Sequence, residues 1–261
     1  MTRTRLGIGS ILVAIVLVQT GCFPVDAIQR QEEISKSFDL KRGGSVSVRN
    51  VNGSITVTGW DQERVQLVAV KSAGGFDDHD AQENLKRLEV HIDQNGNTLT
   101  VETRSPSGFH FGGGVTYTLK VPRRCDLELH STNGGLNTSD VEGTIRLGTT
   151  NGTIKADNIG GTLNGTTTNG RIIATFNKVS GDLVHLSTTN GSIQLSLPED
   201  AGAVVEAHTT NGSIKTDFPI TTRGTVGRHS LEGTIGKGGT RIQLRTTNGS
   251  ISILQGSRGT V

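Results

Sequence analysis

The chain has 261 residues, 36 of them glycine and 5 proline, with 32% hydrophobic and only 3% aromatic residues. Glycine without a Gly-X-Y period excludes collagen, scarce proline argues against a disordered linker, and so few aromatic rings leave a thin aliphatic core. Lys and Arg number 26 against 24 Asp and Glu, and the two sides balance once Arg3 and Arg5 leave with residues 1–21, so there is no electrostatic case for nucleic acid as a partner.

The first element is a targeting segment. Arg3 and Arg5 precede an apolar run from Leu6 to Val18, and Gln19-Thr20-Gly21-Cys22 follows. A small residue before the cleavage point is what signal peptidases need. A Cys directly after it resembles the lipobox of bacterial lipoproteins, although Gln19 stands where Leu is usual. The reading is a signal peptide over 1–21, lipidation at Cys22, and a membrane anchor through that lipid. The apolar run is too short for a comfortable spanning helix. Phe23 follows the Cys where an acidic retention residue would sit, which favours the outer membrane or cell surface. With Cys22 acylated, Cys125 has no partner, and disulfides do not hold the fold.

Residues 22–42 read as an N-terminal tether. An N-terminal β region follows over 43–128, with strands at Ser45–Arg49, Ser54–Thr58 and Val65–Lys71. A short surface helix is expected over Asp77–Leu88, then strands at Leu88–Ile92, Thr98–Thr103 and Val115–Val121. Gly112-Gly113-Gly114 marks a loop.

Over 129–255 the chain repeats. Asn-Gly recurs at Asn52, Asn133, Asn151, Asn169, Asn190, Asn211 and Asn248, and three residues after each Asn stands Ile or Leu: Ile55, Leu136, Ile154, Ile172, Ile193, Ile214 and Ile251. Thr-Thr precedes the Asn in five copies. Asn95-Gly96 and Asn164-Gly165 lack the aliphatic residue and read as ordinary turns outside the repeat. Asn-Gly turns the chain through left-handed backbone, and Thr and Ile favour extended backbone. Each repeat is therefore strand, turn, strand, turn, and 256–261 form a tail. The fold class is all-β, a β-solenoid resembling a parallel β-helix with one short surface helix; an antiparallel β-sandwich or meander is the alternative. A meander needs similar turns but not a whole recurring hexapeptide, whereas stacked coils place Asn over Asn and Ile over Ile about 4.8 Å apart. A meander would separate consecutive turns by roughly 10 Å.

Asn52-Gly53-Ser54-Ile55-Thr56-Val57-Thr58-Gly59-Trp60-Asp61, Val115–Pro122 and the closing Gly238–Ile251 resemble a bacterial family of unknown function whose members are named candidate adhesins. The resemblance spans about residues 43–255. It implies a β-strand-repeat fold at the cell envelope, linked to adhesion or envelope-stress signalling, and supplies no catalytic signature.

Candidate sites are few. Asp77-Asp78-His79-Asp80 is the densest group of metal-ligand types, but it lacks calcium-loop and zinc spacings and reads as a helix N-terminus. His130 and His208 occupy equivalent repeat positions, shared elsewhere by Gly148, Thr166, Ser187 and Arg245, so they form an outward column rather than a metal site. Cys125 follows Arg123-Arg124, which could activate a thiol, but a structural thiol at a strand start fits better. No acid/base pair suggests catalysis. The expectation is a non-enzymatic, lipid-anchored envelope scaffold without cofactor or metal, binding an envelope protein or glycan. The alternatives are a stress-sensing module and a carbohydrate-active β-helix enzyme.

Overall fold

Alternating apolar and polar residues write most of this chain as strands. In the computed structural model, which describes residues 28–105, 113–222 and 227–256, twenty strands and one helix follow one another. The targeting segment, Cys22, Gly112 of the glycine run and the tail beyond Gly256 lie outside the described residues. In chain order the elements are β1 (Ile28–Asp39), β2 (Gly44–Asn52), β3 (Ile55–Trp60), β4 (Arg64–Gly75), α1 (Asp78–Arg87), β5 (Glu89–Asn95), β6 (Thr98–Arg104), β7 (Gly114–Pro122), β8 (Cys125–Asn133), β9 (Leu136–Ser139) and β10 (Glu142–Asn151). They continue with β11 (Ile154–Asn169), β12 (Ile172–Lys178), β13 (Leu183–Asn190), β14 (Ile193–Pro198), β15 (Ala203–Asn211), β16 (Ile214–Thr216), β17 (Ile220–Thr222), β18 (Ser230–Ile235), β19 (Thr240–Asn248) and β20 (Ile251–Gly256).

Two walls result, and the chain passes from one to the other at each repeat Asn-Gly. The first wall runs β5, β6, β2, β8, β10, the second half of β11, β13, β19, β15, β18, β17; it is parallel from β6 to β15 and antiparallel at both ends. The second runs β1, β4, β7, β3, β9, the first half of β11, β12, β14, β20, β16, antiparallel only at β1–β4–β7. Between the walls lies one aliphatic core. Leu127, Ile145, Leu163, Val184, Ile242 and Val205 stack from one side, facing Leu136, Ile154, Ile172, Ile193 and Ile251 from the other, all of them buried. This is the expected solenoid, with parallel register from coil to coil.

Four expectations change. The tether over 22–42 is strand from Ile28 to Asp39, paired along its length with β4. Its alternate residues are only half-buried and many are charged, as on an edge strand that resists further pairing, so it carries no clear strand pattern. Asn164-Gly165 is not a turn but the middle of β11, because the corner at Ile159–Gly161 is passed without leaving strand pairing. Gly165 faces the core, where a side chain would meet Leu186.

The stacking order also departs from chain order. Asn190 pairs with Asn248, and Asn248 with Asn211, so β19 lies between β13 and β15. Finally, the repeat glycines do not serve left-handed backbone: among them only Gly53 has positive φ, +117°. Gly134, Gly152, Gly170, Gly191, Gly212 and Gly249 instead lie against the glycine carbonyl of the neighbouring coil, where a Cβ would come within 3.0 Å. Close stacking, not turn handedness, requires them.

Candidate functional site

Each residue of the repeat has a separate task. The first Thr is buried and its hydroxyl donates to the glycine carbonyl of the neighbouring coil: Thr149 to Gly134 (3.0 Å), Thr167 to Gly152 (3.1 Å), Thr188 to Gly170 (3.0 Å), Thr246 to Gly191 (2.9 Å) and Thr209 to Gly249 (2.8 Å). These bonds satisfy carbonyls at the corner, where the strand ladder is interrupted. The Asn side chains form one continuous amide ladder. Asn211 donates to Asn248, Asn248 to Asn190, Asn190 to Asn169, Asn169 to Asn151, Asn151 to Asn133 and Asn133 to Asn52, each at 2.8–2.9 Å. Asn52 ends it by donating to the Gly113 carbonyl at 3.1 Å.

In the first coil Asn50 takes the buried Thr position. It donates to the Val115 carbonyl at 2.7 Å and accepts from Thr103 at 2.8 Å, and Thr103 bonds the buried Tyr117 hydroxyl at 2.7 Å. Burial is the main cause that raises the Tyr117 pKa to about 12.

The candidate residues separate cleanly. Asp77 is the N-cap of α1, its carboxylate accepting from the Asp80 amide at 2.8 Å, and Asp78 pairs with Arg30. Cys125 is buried at the start of β8, with its thiol pushed up to about 12 by burial and then by Asp126, so the adjacent arginines do not activate it. Arg124 pairs instead with Glu142 at 3.4 Å, and Arg123 with Asp61 at 2.8 Å. His130 and His208 are exposed on the first wall in one column, running Arg49, His130, Gly148, Thr166, Ser187, Arg245, His208, so four strands lie between the two histidines. Among the described residues no three His, Cys, Asp or Glu side chains gather around a possible metal position. None of their helices is long and apolar enough to cross a membrane.

Several recesses on the surface carry charged residues, and two of them adjoin the candidate residues Cys125 and His130. Near the corner opposite the Asn ladder, a cleft of about 310 Å³ holds Arg42, Trp60, Arg123 and Arg124. Its indole N–H donates to the Arg64 carbonyl at 2.8 Å, and Arg42, like the other two arginines, has an acidic partner, Glu63 at 3.8 Å. Those groups are engaged.

A second recess, about 290 Å³, lies on the outer face of the first wall over Gly148, walled by His130, Thr166, Arg146, Asn164, Glu128 and Arg49. Glu128 stands opposite Arg146 across the β8–β10 pairing, but Arg49 takes its carboxylate at 3.0 Å. Further along the same face, hydrogen bonds from Arg245 and Gln243 hold the Glu206 carboxyl below the usual carboxylate range. Sequence reasoning reached the His130–Gly148–Thr166 column but not this recess, because Arg146 and Asn164 belong to a second column that only the register reveals.

Stacked parallel coils, closed at both ends by antiparallel strands, define a capped two-walled solenoid. Residues 44–254 match the family described as toastrack DUF4097, and the chain belongs to that family. No curated protein matches it in sequence. Among solved structures it is similar to a candidate cell adhesion protein of Clostridium sporogenes, at 11% identity and TM-score 0.47 over 86% of this chain and 100% of that one. It is also similar to a candidate adhesin of Bacteroides fragilis (12%, TM-score 0.35, 85% and 96% covered) and to a candidate lipid binding protein of Parabacteroides distasonis (9%, TM-score 0.30, 86% and 97% covered).

Proposed function

We propose that this chain is a non-enzymatic surface-binding scaffold of the bacterial envelope, anchored through an acylated Cys22 and presenting the outer face of its first wall to an envelope protein or glycan. One observation carries the binding reading. Apart from Gly148, the outward columns of that wall, Arg49 to His208 and Glu128 to Glu206, are polar side chains that the core does not use. The anchor rests on Arg3, Arg5, the apolar run and Thr20-Gly21-Cys22. Because β1 begins at Ile28, six residues of chain can hold the fold no further than roughly 20 Å from the acylated Cys. An anchored chain of this kind stays close to the membrane that carries it.

Mass spectrometry of membrane-extracted protein is expected to show acyl chains on Cys22. A mature N-terminus elsewhere, or an unmodified Cys22, refutes the anchor. Fluorescently labelled protein is expected to bind isolated cell envelopes saturably, and to lose that binding when Arg49, Arg146 and Arg245 are replaced together by Gln. Retention of full binding by that variant refutes the use of this face.

A further inference from the structure

We propose that the recess over Gly148 is a carboxylate-binding subsite for an acidic glycan; this rests on the surface-binding reading above. The first support is the glycine itself. A glycine inside a strand weakens it, and persists where a backbone or a ligand comes close. At Gly134, Gly152 or Gly170 a neighbouring carbonyl occupies the space a Cβ would need. At Gly148 the nearest atoms to an added Cβ all belong to side chains: the His130 ring, at 3.1 Å from Nδ1, and the Thr166 hydroxyl, at 3.8 Å. Its φ is not in the left-handed region. Neither a backbone neighbour nor backbone conformation asks for glycine here: the one tight contact is with the exposed His130 side chain, and the same column carries Thr166 one strand away.

The second support is the set of groups around it. Among the described residues, Arg146 has no ion pair, since Arg49 occupies Glu128. Arg146, Asn164, Thr166 and His130 line the recess, and among the described residues none of their side chains has a hydrogen-bond partner, although their backbones are paired in the sheet. A guanidinium with a free planar edge matches a carboxylate in two parallel N–H···O bonds. The Asn164 amide and Thr166 hydroxyl lie one strand further on and suit the hydroxyls of a sugar. A peptide fits less well. The strands that floor the recess, β8, β10 and β11, are paired on both sides, so they offer no main-chain edge to an incoming strand.

Binding of oligogalacturonate and of its methyl-esterified form to the full chain tests this. The acid is expected to bind saturably and the ester roughly tenfold or more weakly, since the charge-assisted pair of bonds to the carboxylate is lost. Arg146→Gln and Gly148→Thr are each expected to weaken the acid by a similar factor. Gly148→Thr is expected to melt no lower than the parent, and Lys155→Gln, exposed on the second wall, to bind like the parent. Equal affinity for acid and ester, full affinity in Gly148→Thr, or no saturable binding of the acid by the parent overturns the subsite. Envelope binding of the same variants separates the two readings. If Gly148→Thr binds envelopes as the parent does, the subsite fails and the surface-binding role stands. If the parent does not bind envelopes, the role itself fails.

Discussion

At the scale of single residues, the repeat glycines and asparagines protect each other. Each inner glycine N–H donates to the Asn carbonyl of the next coil, as from Gly134 to Asn151, Gly152 to Asn169, Gly170 to Asn190, Gly191 to Asn248 and Gly249 to Asn211, all at 3.0 Å. Asn-Gly deamidates when that same nitrogen attacks the Asn carboxamide, so a bonded N–H and a laddered side chain both oppose the reaction. Gly212, at the end of the stack, and Gly96, in the β5–β6 hairpin with φ +57°, have no such bond among the described residues. Peptide mapping after incubation at mildly alkaline pH is expected to find Asn95 and Asn211 converted first and the inner rungs intact, whereas in urea all nine Asn-Gly pairs react. Conversion of Asn169 as fast as Asn211 in the folded protein contradicts this. Sequence could name these pairs but not the purpose of the glycine, because a missing Cβ serves a left-handed turn and a close contact equally well. Gly170→Ala, which presses a methyl onto the Gly152 carbonyl, is expected to cost about 3 kcal/mol in chemical denaturation. The buried Tyr117 and Cys125 make stability fall at alkaline pH. Their pKa values rise from 10.0 and 9.0 to about 12 in the fold, so the neutral forms are favoured there and both contributions are fully present below pH 9. From pH 10 to about 12 each group should remove about 1.4 kcal/mol of stability per pH unit. Urea midpoints at pH 8, 10 and 11 check this, and Cys125→Ala should flatten the fall between pH 9 and 10.

At the scale of elements, alternation made β2, β3, β4, β6 and β7 legible, because one face of each is buried and the other wet; β5 has only half-buried Val90 and Ile92 on its inner face, and α1 shows a helical spacing instead. β1 was not legible. Its apolar residues are Ile28, Ile34 and Phe38, spaced six and four apart, and an edge strand has little core to write into its sequence. The position of β19 was hidden for a different reason. Thr246-Thr247-Asn248-Gly249-Ser250-Ile251 and Thr209-Thr210-Asn211-Gly212-Ser213-Ile214 are the same hexapeptide, so no local preference decides which of them lies on Asn190. The placement has an energetic consequence that chain position alone would not suggest. Leu244 lies near the C-terminus, where fraying is usual, yet it is fully buried between Leu186 and Ala207. Leu244→Ala is expected to cost 2–5 kcal/mol, as at a central core position. Ile193→Asn should cost about 2–4 kcal/mol, while His208→Ser on the outer face stays within about 0.5 kcal/mol of the parent. Denaturant midpoints for the three variants decide; an outer-face cost equal to the inner one would invert the orientation of the walls.

At the scale of the molecule, the question is why the last coil is not the outermost. A sequential stack is sterically plausible, since the step from Asn190 to Asn211 equals that from Asn169 to Asn190, 21 residues. The observed order follows from the link between β18 and β19. β18 lies antiparallel on one edge of β15 and β19 parallel on the other, so residues 236–239 must cross the end of β15. Gly236, Gly238 and Gly239 make that crossing in left-handed backbone, with φ of +55°, +76° and +132°. The crossing is tight, because a Cβ on Gly236 or Gly202 would strike the chain passing it. β18 and β17 then close the end of the wall with antiparallel edges, and β19 reaches β13 from the interior. Contacts such as Leu183 with Arg241 join segments far apart in sequence, so the C-terminal third completes the stack only once the whole chain is available, and slow folding follows from such separations. Engineered cysteine pairs distinguish the two orders. Ser187 and Arg245 are direct neighbours across β13–β19, roughly 4.8 Å apart, whereas Ser187 and His208 are two strand widths apart, roughly 10 Å and beyond disulfide reach. Under mild oxidation Ser187→Cys with Arg245→Cys is expected to cross-link, and so is Arg245→Cys with His208→Cys, while Ser187→Cys with His208→Cys stays reduced. In a sequential stack the last pair would close and the first would remain open, so the pattern of cross-linked peptides fixes the position of β19.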